Sequence, residues 1–414
     1  MRAIDIASGG LAALLKYGNG VSIFGPNMEL ENRFFEAPAG SFFLFGPRGT
    51  GKTTWLRQAF PQGLLLDLLE PDLARELAAR PERLRDVIEA ARTDLPVIID
   101  EVQRIPELLH LVHALMEENK RRRFILTGSS ARKLRRGVVN LLAGRAVVRT
   151  MHPFMAAELR EFRLVAALAH GLVPLVVAAA DPKDVLRAYA SLYLDEEVRF
   201  EGWTRNIGAF ARFLETISFS QASVLNVANV ARECQIERKT VAGYIEILED
   251  LLLSFRLPVF TRRAKRGTIQ HPKFYFFDAG VYRSLRPAGP LDRPEEIEGA
   301  ALEGLVAQHL RAWIAYRNAD AELFFWRTHS GVEVDFVLYG PAGFWALDVK
   351  NTTRVRPEDL SGLKAFGEDY PKAERGLLYR GTRRELRDGI WIVPIEQFLK
   401  RLDPHGRIAF SIPH

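Results

Sequence analysis

The chain has 414 residues, which is enough for about two to four domains with cores of their own. Its formal net charge of +6 and its pI of about 9.4 favour an anionic partner, with nucleic acid ahead of a membrane surface. The single cysteine, Cys234, excludes an internal disulfide and a cysteine-cluster zinc site, and no apolar run approaches the length of a membrane span. We therefore expect a protein of the reducing cytoplasm with no membrane partner.

Two segments open the chain. Residues 1–37 form an N-terminal extension to which the sequence assigns no role. From residue 38 to 155, short apolar strands alternate with helical stretches. This alternation predicts an α/β domain with a mainly parallel sheet and helices on both faces.

A glycine-rich segment follows a strong strand in this domain. The strand SFFLF runs into GPRGTGKTT, which has the GxxxxGK[ST] spacing of a phosphate-binding loop, and a helix is predicted directly after it. Glycines let backbone N–H groups point at phosphate oxygens, Lys52 supplies a cation for the β- and γ-phosphates, and Thr53 offers a hydroxyl to Mg²⁺. The spacing therefore predicts that ATP binds here with Mg²⁺. The residues assigned to the nucleotide are Gly46, Pro47, Arg48, Gly49, Thr50, Gly51, Lys52, Thr53 and Thr54.

Two later strands of the same domain end in polar residues. The apolar strand in LPVIIDEVQR ends at Asp100 and Glu101, the pattern of a Walker B strand. Asp100 is predicted to hold Mg²⁺ through water, and Glu101 to orient and deprotonate the attacking water. The strand RFILTGSS ends in hydroxyls, so Thr127 or Ser129 is predicted to sense the γ-phosphate. The alternative is an ordinary helix N-cap by Ser129 or Ser130.

The middle of the chain changes pattern at residue 223. Residues 156–222 have helical spacing and are predicted to form a connector, whereas 223–290 show a short helix, a turn, an amphipathic helix and two strands. This order predicts a winged helix-turn-helix. Basic residues at the start of its second helix and at the tip between its strands are predicted to contact DNA phosphates; the alternative is a protein-packing module with a solvated tip. The candidates are Arg238, Lys239, Arg262, Arg263, Lys265 and Arg266.

The last segment, residues 291–414, carries a second set of acidic residues. A helix with Glu303 is followed by strands in which Asp335 is internal and Asp348-Val349-Lys350 closes the next strand. Because side chains alternate along a strand, Asp348 and Lys350 share a face, and Asp335 reaches them from the adjacent antiparallel strand. This is the PD-(D/E)XK nuclease pattern, with Asp instead of the commoner Glu before x-Lys.

Carboxylates in this arrangement suit a hard divalent cation. Glu303, Asp335 and Asp348 are predicted to hold a second metal ion, Mg²⁺ or Mn²⁺, against a phosphate, with Lys350 as the catalytic residue that positions or activates water. The alternative is a nuclease-like domain retained for DNA binding without cleavage.

A series of motifs extends the pattern over most of the chain, from about residue 38 to 380. They are GPRGTGKTT, VIIDEVQ, RFILTGSSAR, LLAGRA, MHPF, the predicted LDEEV helix, KFYFFDAGV, ALEGLV, VEVDFV and LDVKN. In these motifs the chain resembles the bacterial and archaeal AAA+-type ATPases with a C-terminal PD-(D/E)XK-like domain of largely uncharacterised function. The resemblance implies an AAA+ P-loop fold, and it implies that Arg145 of LLAGRA is an arginine finger for a neighbouring subunit. The alternative for Arg145 is an ion pair within its own chain.

These observations predict a Mg²⁺-dependent ATPase that forms a homo-oligomeric ring, with a hexamer preferred. Its ATP cycle is expected to remodel or translocate DNA, and branched DNA such as a Holliday junction is the most specific substrate that fold analogy suggests. One rival is a signalling NTPase linked to defence or transcription, with a nuclease-like domain that does not cleave. A second rival is a DNA-binding regulator with a vestigial ATPase, against which the intact Lys52 and Glu101 argue.

Overall fold

The computed structural model describes most of the chain after its N-terminal segment. The described residues are 33–92, 94–130, 142, 144–190, 206–262, 266–317 and 320–410. Most of the predicted N-terminal extension, together with Arg263 and Lys265 of the predicted tip, lies outside them. The chain divides into two compact units, one built on Ala37–Thr150 and one that joins residues 33–36 to those after 150. The predicted domain boundaries at residues 155, 222 and 290 stay predictions.

The first unit contains a five-stranded parallel sheet. Its strands are β1 (Ser41–Phe45), β2 (Leu64–Asp67), β3 (Val97–Asp100), β4 (Phe124–Gly128) and β5 (Ala146–Thr150). They lie in the order β2-β3-β4-β1-β5, and every neighbouring pair is parallel. β3 and β4 are buried throughout, as expected of strands in a parallel sheet that is covered on both faces. The predicted parallel α/β domain is confirmed.

Four helices accompany this sheet within the described residues: α1 (Lys52–Ala59), α2 (Pro71–Ala79), α3 (Arg83–Glu89) and α4 (Leu108–Glu118). The loop between β1 and α1 needs glycine, because Gly49 and Gly51 have φ angles of 81° and 83°, in the left-handed region. β4 lies between β1 and β3, so the carboxyl ends of these three parallel strands meet at one edge of the sheet. Loops at such an edge are where α/β sheets bind ligands.

The second unit begins with a mainly helical part and a small sheet. Its elements are α5 (Leu164–His170), α6 (Pro174–Val177), α7 (Pro182–Ala188), α8 (Ile207–Ser218), β6 (Ser223–Val224), α9 (Val227–Cys234), α10 (Arg238–Asp250), β7 (Ser254–Leu257), β8 (Lys273–Phe276) and α11 (Ala279–Leu285). The sheet order is β6-β8-β7, with antiparallel pairs. This succession of helices and strands has the order that the predicted winged helix requires, and that interpretation stays a prediction.

The rest of the second unit is built around a six-stranded mixed sheet. Its elements are α12 (Pro294–Arg317), β9 (Glu322–Arg327), β10 (Glu333–Gly340), β11 (Gly343–Lys350), α13 (Ser361–Asp369), β12 (Glu374–Tyr379), β13 (Glu385–Arg387), β14 (Ile390–Pro394) and α14 (Ile395–Arg401). The strand order is β13-β14-β12-β11-β10-β9, and β9, β10 and β11 form an antiparallel meander. Among the helices described, none is both long and apolar enough to cross a membrane.

Candidate functional site

The phosphate-binding loop places a buried lysine among backbone carbonyls. The nine residues predicted to bind the nucleotide connect β1 to α1 and include the start of that helix. Lys52 is only 5% exposed, and its Nζ donates to the carbonyl oxygens of Gly46 at 2.7 Å and Pro47 at 3.3 Å. Both acceptors are neutral carbonyl groups, so no carboxylate among the described residues pairs with the ammonium in the loop. This arrangement suits the phosphates of ATP.

Two side chains whose oxygen atoms could bind a metal ion, Thr53 and Asp100, lie close together at the end of this loop. The hydroxyl of Thr53 donates to Asp100 Oδ2 at 2.5 Å, and the hydroxyl of Thr127 donates to the other carboxylate oxygen. Burial raises the pKa of Asp100, and the neighbouring Glu101 carboxylate raises it further. Hydroxyl and carboxylate oxygens are ligands that Mg²⁺ accepts when phosphates and water complete its shell, so these residues fit Mg²⁺ brought with a nucleotide.

The predicted catalytic glutamate is held by its backbone and by its side chain. Glu101 has φ 57°, and its N–H donates to the Thr127 hydroxyl at 3.0 Å. Its carboxylate accepts a hydrogen bond from the Gln103 amide and a longer one from Ser129 Oγ, at 3.4 Å. Thr127 and Ser129 therefore both lie at the site, and their predicted sensor role stays a prediction.

Gln103 is a site residue that sequence reasoning missed. It is buried in a short 3₁₀ turn, Val102–Arg104, and its Nε2 donates to both Glu101 Oε2 and Ser129 Oγ. Its Oε1 is buried and has no hydrogen-bond partner among the described residues. A Cβ at Gly128 would lie 2.7 Å from that oxygen, so the glycine makes room for the amide. The signal in the sequence was a glutamine two residues after the acidic pair.

Arg145 lies away from this site. Ser41 of β1 is opposite Ala146 of the parallel strand β5, which puts Arg145 at the amino end of the sheet, whereas the phosphate-binding loop follows the carboxyl end of β1. Five strand residues separate these ends by about 17 Å. The guanidinium forms an exposed ion pair with Glu117 near the end of α4. The structure thus contains the intrachain pair that was the alternative, and a finger role would have to be played in a neighbouring subunit.

The connection from β7 to β8, predicted to be a DNA-contacting tip, packs along β9. Phe260 N donates to Phe325 O at 2.6 Å, and Phe325 N donates to Pro258 O at 3.0 Å. The Phe260 side chain is buried in an aromatic cluster of the C-terminal sheet. The described part of the connection is therefore fastened to the edge of that sheet.

The two arginines of this connection that the structure describes, Arg262 and Arg266, have acidic partners. Arg262 forms an ion pair with Glu322 and also lies over the Tyr339 ring. Arg266 pairs with Glu368 and lies 3.4 Å from Asp369. These contacts favour the packing alternative for the tip. At the start of α10, in contrast, Arg238 and Lys239 are exposed.

The C-terminal hairpin brings the predicted nuclease-like residues together. Phe336 is opposite Leu347, so Asp335 and Asp348 are neighbours on β10 and β11. Val349 N donates to Asp335 Oδ2 at 2.9 Å, and Lys350 Nζ lies 3.4 Å from Asp348 Oδ2.

A lysine that sequence reasoning did not assign lies among these carboxylates. Lys273, the first residue of β8, is 2% exposed, and its Nζ is 2.8 Å from Glu303 Oε1 and 3.2 Å from Asp335 Oδ1. It also pairs with Glu333, and the Tyr275 hydroxyl donates to Glu303 Oε1 at 2.6 Å. We call Lys273, Glu303, Glu333, Asp335 and Asp348 the carboxylate cluster.

The protonation of the cluster reflects both burial and its charges. Burial and the Asp335 carboxylate raise the pKa of Glu303 to about 7. Burial and Asp335 also raise the pKa of Asp348. Burial acts in the same direction on Asp335, but Lys273 and Lys350 outweigh it and lower the pKa of this carboxyl group. Burial acts to lower the pKa of Lys273, but the surrounding carboxylates raise it overall, so the ammonium stays charged.

These contacts do not fit the predicted second metal. A bound Mg²⁺ would need the carboxylate oxygens at about 2.1 Å, and the Lys273 ammonium already lies where Glu303, Glu333 and Asp335 converge. Within the described ranges, no group of three or more His, Cys, Asp or Glu residues could hold a metal ion. We therefore assign no chemical step to a metal at this cluster.

Family models match three consecutive parts of the chain. Residues 39–160 match an AAA domain, 161–292 match a domain of unknown function (DUF8612), and 298–398 match another domain of unknown function (DUF4143). The first match agrees with the loop geometry, and the chain therefore carries a P-loop ATPase-like domain of the AAA type. The other two matches name no activity.

Other comparisons add little. No curated protein matches the chain. Among solved structures, the crystal structure of protein VC1899 from Vibrio cholerae is 12% identical, with 89% of this chain and 97% of that chain covered and a TM-score of 0.21. A similarity of this size carries no argument about fold or function.

Proposed function

We propose that this protein is a Mg²⁺-dependent ATPase whose turnover remodels or translocates DNA. The observation that carries the proposal is the hydrogen-bonded chain from Thr53 through Asp100 and Thr127 to Glu101, beside Lys52 in its glycine-rich loop. A cation, two candidate metal ligands and a carboxylate in one hydrogen-bonded neighbourhood support the proposal, because phosphoryl transfer uses all three.

Each residue at the proposed nucleotide site has a distinct role. Lys52 exchanges the loop carbonyls for the β- and γ-phosphates, while Thr53 and Asp100 hold Mg²⁺, which neutralises phosphate charge when bound. Glu101 orients the attacking water and accepts its proton. Thr127 or Ser129 contacts the γ-phosphate from β4.

The positive charge of the chain supports DNA as the molecule on which the ATPase acts. The chain carries a net charge of +6, and Arg238 and Lys239 are exposed at the start of α10, where a helix can approach phosphates. Branched or junction DNA remains the specific substrate that we propose. The proposed location is the reducing cytoplasm, on the basis of the single, buried Cys234.

The proposal is tested by ATPase rate with and without duplex, forked and four-way DNA, measured beside the mass in solution. We expect DNA to stimulate the wild type and Glu101→Gln to bind ATP while losing turnover by roughly 10²–10⁴-fold. Full turnover in Glu101→Gln would remove the assigned base. If no form of DNA changes the ATPase rate, the proposal that the protein acts on DNA would be wrong.

A ring with ATP between subunits is a further part of the proposal, and a hexamer is the preferred assembly. Arg145 cannot reach its own site from the amino end of β5, so it would act on a neighbour after leaving Glu117. Mixing inactive Arg145→Ala and Glu101→Gln subunits should restore some ATPase, because some interfaces then combine an intact Glu101 with an intact Arg145. No restoration in a mixed assembly would argue against the finger.

A second candidate is a monomeric signalling NTPase with a nuclease-like domain that does not cleave. The observation that favours it is that Arg262, Arg266 and Arg145 are all paired within the chain. It predicts a monomeric mass and slow turnover that DNA does not change, so the same experiment separates the two candidates.

A further inference from the structure

We infer that Lys273 is the resident cation of the carboxylate cluster, and that this cluster excludes a divalent metal and does not cleave DNA. The inference goes beyond the ATPase activity proposed above and rests on a different part of the chain.

The first argument is the match between donors and acceptors. A lysine ammonium has three N–H groups and no acceptor. Nζ of Lys273 has three carboxylate partners, on Glu303, Glu333 and Asp335, which come from α12 and β10. The ammonium donates hydrogen bonds to Glu303 and Asp335 and forms an ion pair with Glu333. Displacing it would leave these buried carboxylates without their cation and expose their negative charges to one another, which is unfavourable.

The second argument is repulsion between cations. The carboxylates of Glu303, Glu333, Asp335 and Asp348 face Lys273 and Lys350, and Arg327 lies 3.1 Å from the second oxygen of Glu333. A divalent ion entering among the same oxygens would stand within a few ångströms of the ammonium. Repulsion between two cations at this distance is strong in a buried, low-dielectric site.

The position of Lys273 gives the cluster another role. Lys273 is the first residue of β8, in the small three-stranded sheet. Its ion pairs therefore connect that sheet to α12 and β10. The backbone connection just before Lys273 is fastened to β9. Glu303 and Asp335, which would bind a metal in a nuclease, therefore hold the small sheet against the C-terminal part of this unit.

The deciding experiment is Mn²⁺ binding to nucleotide-free protein, with free Mn²⁺ measured by electron paramagnetic resonance. Wild type and Asp335→Asn should give superimposable titrations, because neither binds Mn²⁺ at the cluster. Glu303→Gln repeats the comparison from another position. One additional Mn²⁺ in the wild type that both variants lose would overturn the inference.

Lys273→Met tests the same inference in the opposite direction. Removal of the ammonium should create one Mn²⁺ site, seen as one extra bound ion and as a melting temperature that rises with Mn²⁺, and the double variant Lys273→Met/Asp335→Asn should lose both effects. A folded Lys273→Met protein that gains no Mn²⁺ would show that the ammonium is not what excludes the metal. Should Lys273→Met fail to fold, the wild-type comparison with Asp335→Asn decides alone.

DNA cleavage supplies an independent readout. We expect no Mg²⁺- or Mn²⁺-dependent cutting of supercoiled plasmid by the full chain. Cutting that Asp348→Ala abolishes would contradict the inference, while leaving the proposed ATPase untouched.

Discussion

Two buried lysines in this chain are surrounded by different kinds of oxygen. Lys52 donates to the backbone carbonyls of Gly46 and Pro47, whereas Lys273 is held by carboxylates of Glu303, Glu333 and Asp335. Carbonyls stabilise an ammonium without cancelling its charge, so an anionic ligand can replace them. Carboxylates cancel the charge, so the second lysine has no attraction left for a phosphate and closes its site to a metal. The partners of a lysine, more than its burial, decide whether it is available for binding.

The largest effect is expected at the lysine with neutral partners. Lys52→Ala should weaken ATP binding by roughly 100-fold or more, because the phosphates lose a charge-assisted donor in a buried site. Isothermal titration with a non-hydrolysable ATP analogue measures the loss. Arg57→Ala is the matched control, since Arg57 lies on the same helix with a side chain 48% exposed. Equal losses in both variants would mean that the effect is not specific to the loop.

At the lysine with charged partners, the expected effect is on stability. Lys273→Met should lower the free energy of unfolding by about 3–5 kcal/mol, because it leaves buried carboxylates without their cation. Urea denaturation measures the change, and Lys273→Met/Glu303→Gln should recover part of it. The control is Lys364→Met, which removes an exposed pair with Asp388 and should hardly move the midpoint. A Lys273→Met protein as stable as the wild type would show that the buried carboxylates do not need this cation.

How far the sequence could predict these two sites depends on chain separation. The phosphate-binding loop is a run of consecutive residues, and the Asp335 and Asp348 pairing follows from strand alternation in one hairpin, so both could be predicted locally. Lys273 precedes Glu303 by 30 positions and Asp335 by 62, and only the packing of β8 against α12 and β10 brings it to them. No local pattern carries that information.

The basic tip shows the same limit. A cluster of arginines in a predicted hairpin suggests a contact with phosphates, but the sequence does not show that Glu322 pairs with Arg262 and Glu368 with Arg266. Arg145 was equally ambiguous, because its partner Glu117 lies on a helix that precedes it by 28 positions. Charge alone predicts a class of partner, and tertiary structure decides which charges are free to meet it.

Asp278 extends the comparison to a buried group of negative charge. Like Lys52, it has neutral partners. Asp278 is buried at the start of α11, where it accepts hydrogen bonds from the N–H groups of Gly280, Val281 and Leu172. Burial raises its pKa from 3.8 to about 6. Between these values the folded state holds more protons than the unfolded state, so the contribution of Asp278 to the free energy of unfolding falls as pH rises.

Asp278→Asn should remove this dependence. From pH 5 to pH 7 the wild type should lose about 1 kcal/mol relative to the variant, measured by urea denaturation at each pH. Asp181→Asn is the control for loss of a carboxylate cap, because Asp181 caps α7 at the surface in the same way. Parallel profiles for wild type and Asp278→Asn would show that neutral donors alone keep this carboxylate charged.

The neutral side chain of Gln103 provides a test at the proposed ATPase site. Gln103→Leu should lower kcat about 10-fold with little change in KM, because Glu101 loses one hydrogen bond that positions it. Stability should hold, since the buried, unpartnered Oε1 of Gln103 is removed at the same time. Rescue of kcat by Gln103→Asn would support positioning by the amide. An unchanged kcat in Gln103→Leu would show that the Gln103 amide does not position Glu101.

The smallest expected effects concern two kinds of surface cation: those with an acidic partner and those with none among the described residues. Arg238→Ala and Lys239→Ala should each weaken DNA binding several-fold and reduce its salt slope by about 1, because each exposed cation releases counterions from a phosphate. Arg262→Ala should change affinity and slope little, since Arg262 must first leave Glu322. Fluorescence anisotropy at several salt concentrations measures both quantities. If Arg262→Ala matches Arg238→Ala, a surface carboxylate does not withhold an arginine from DNA, and the rule drawn from Lys52 and Lys273 applies only to buried charges.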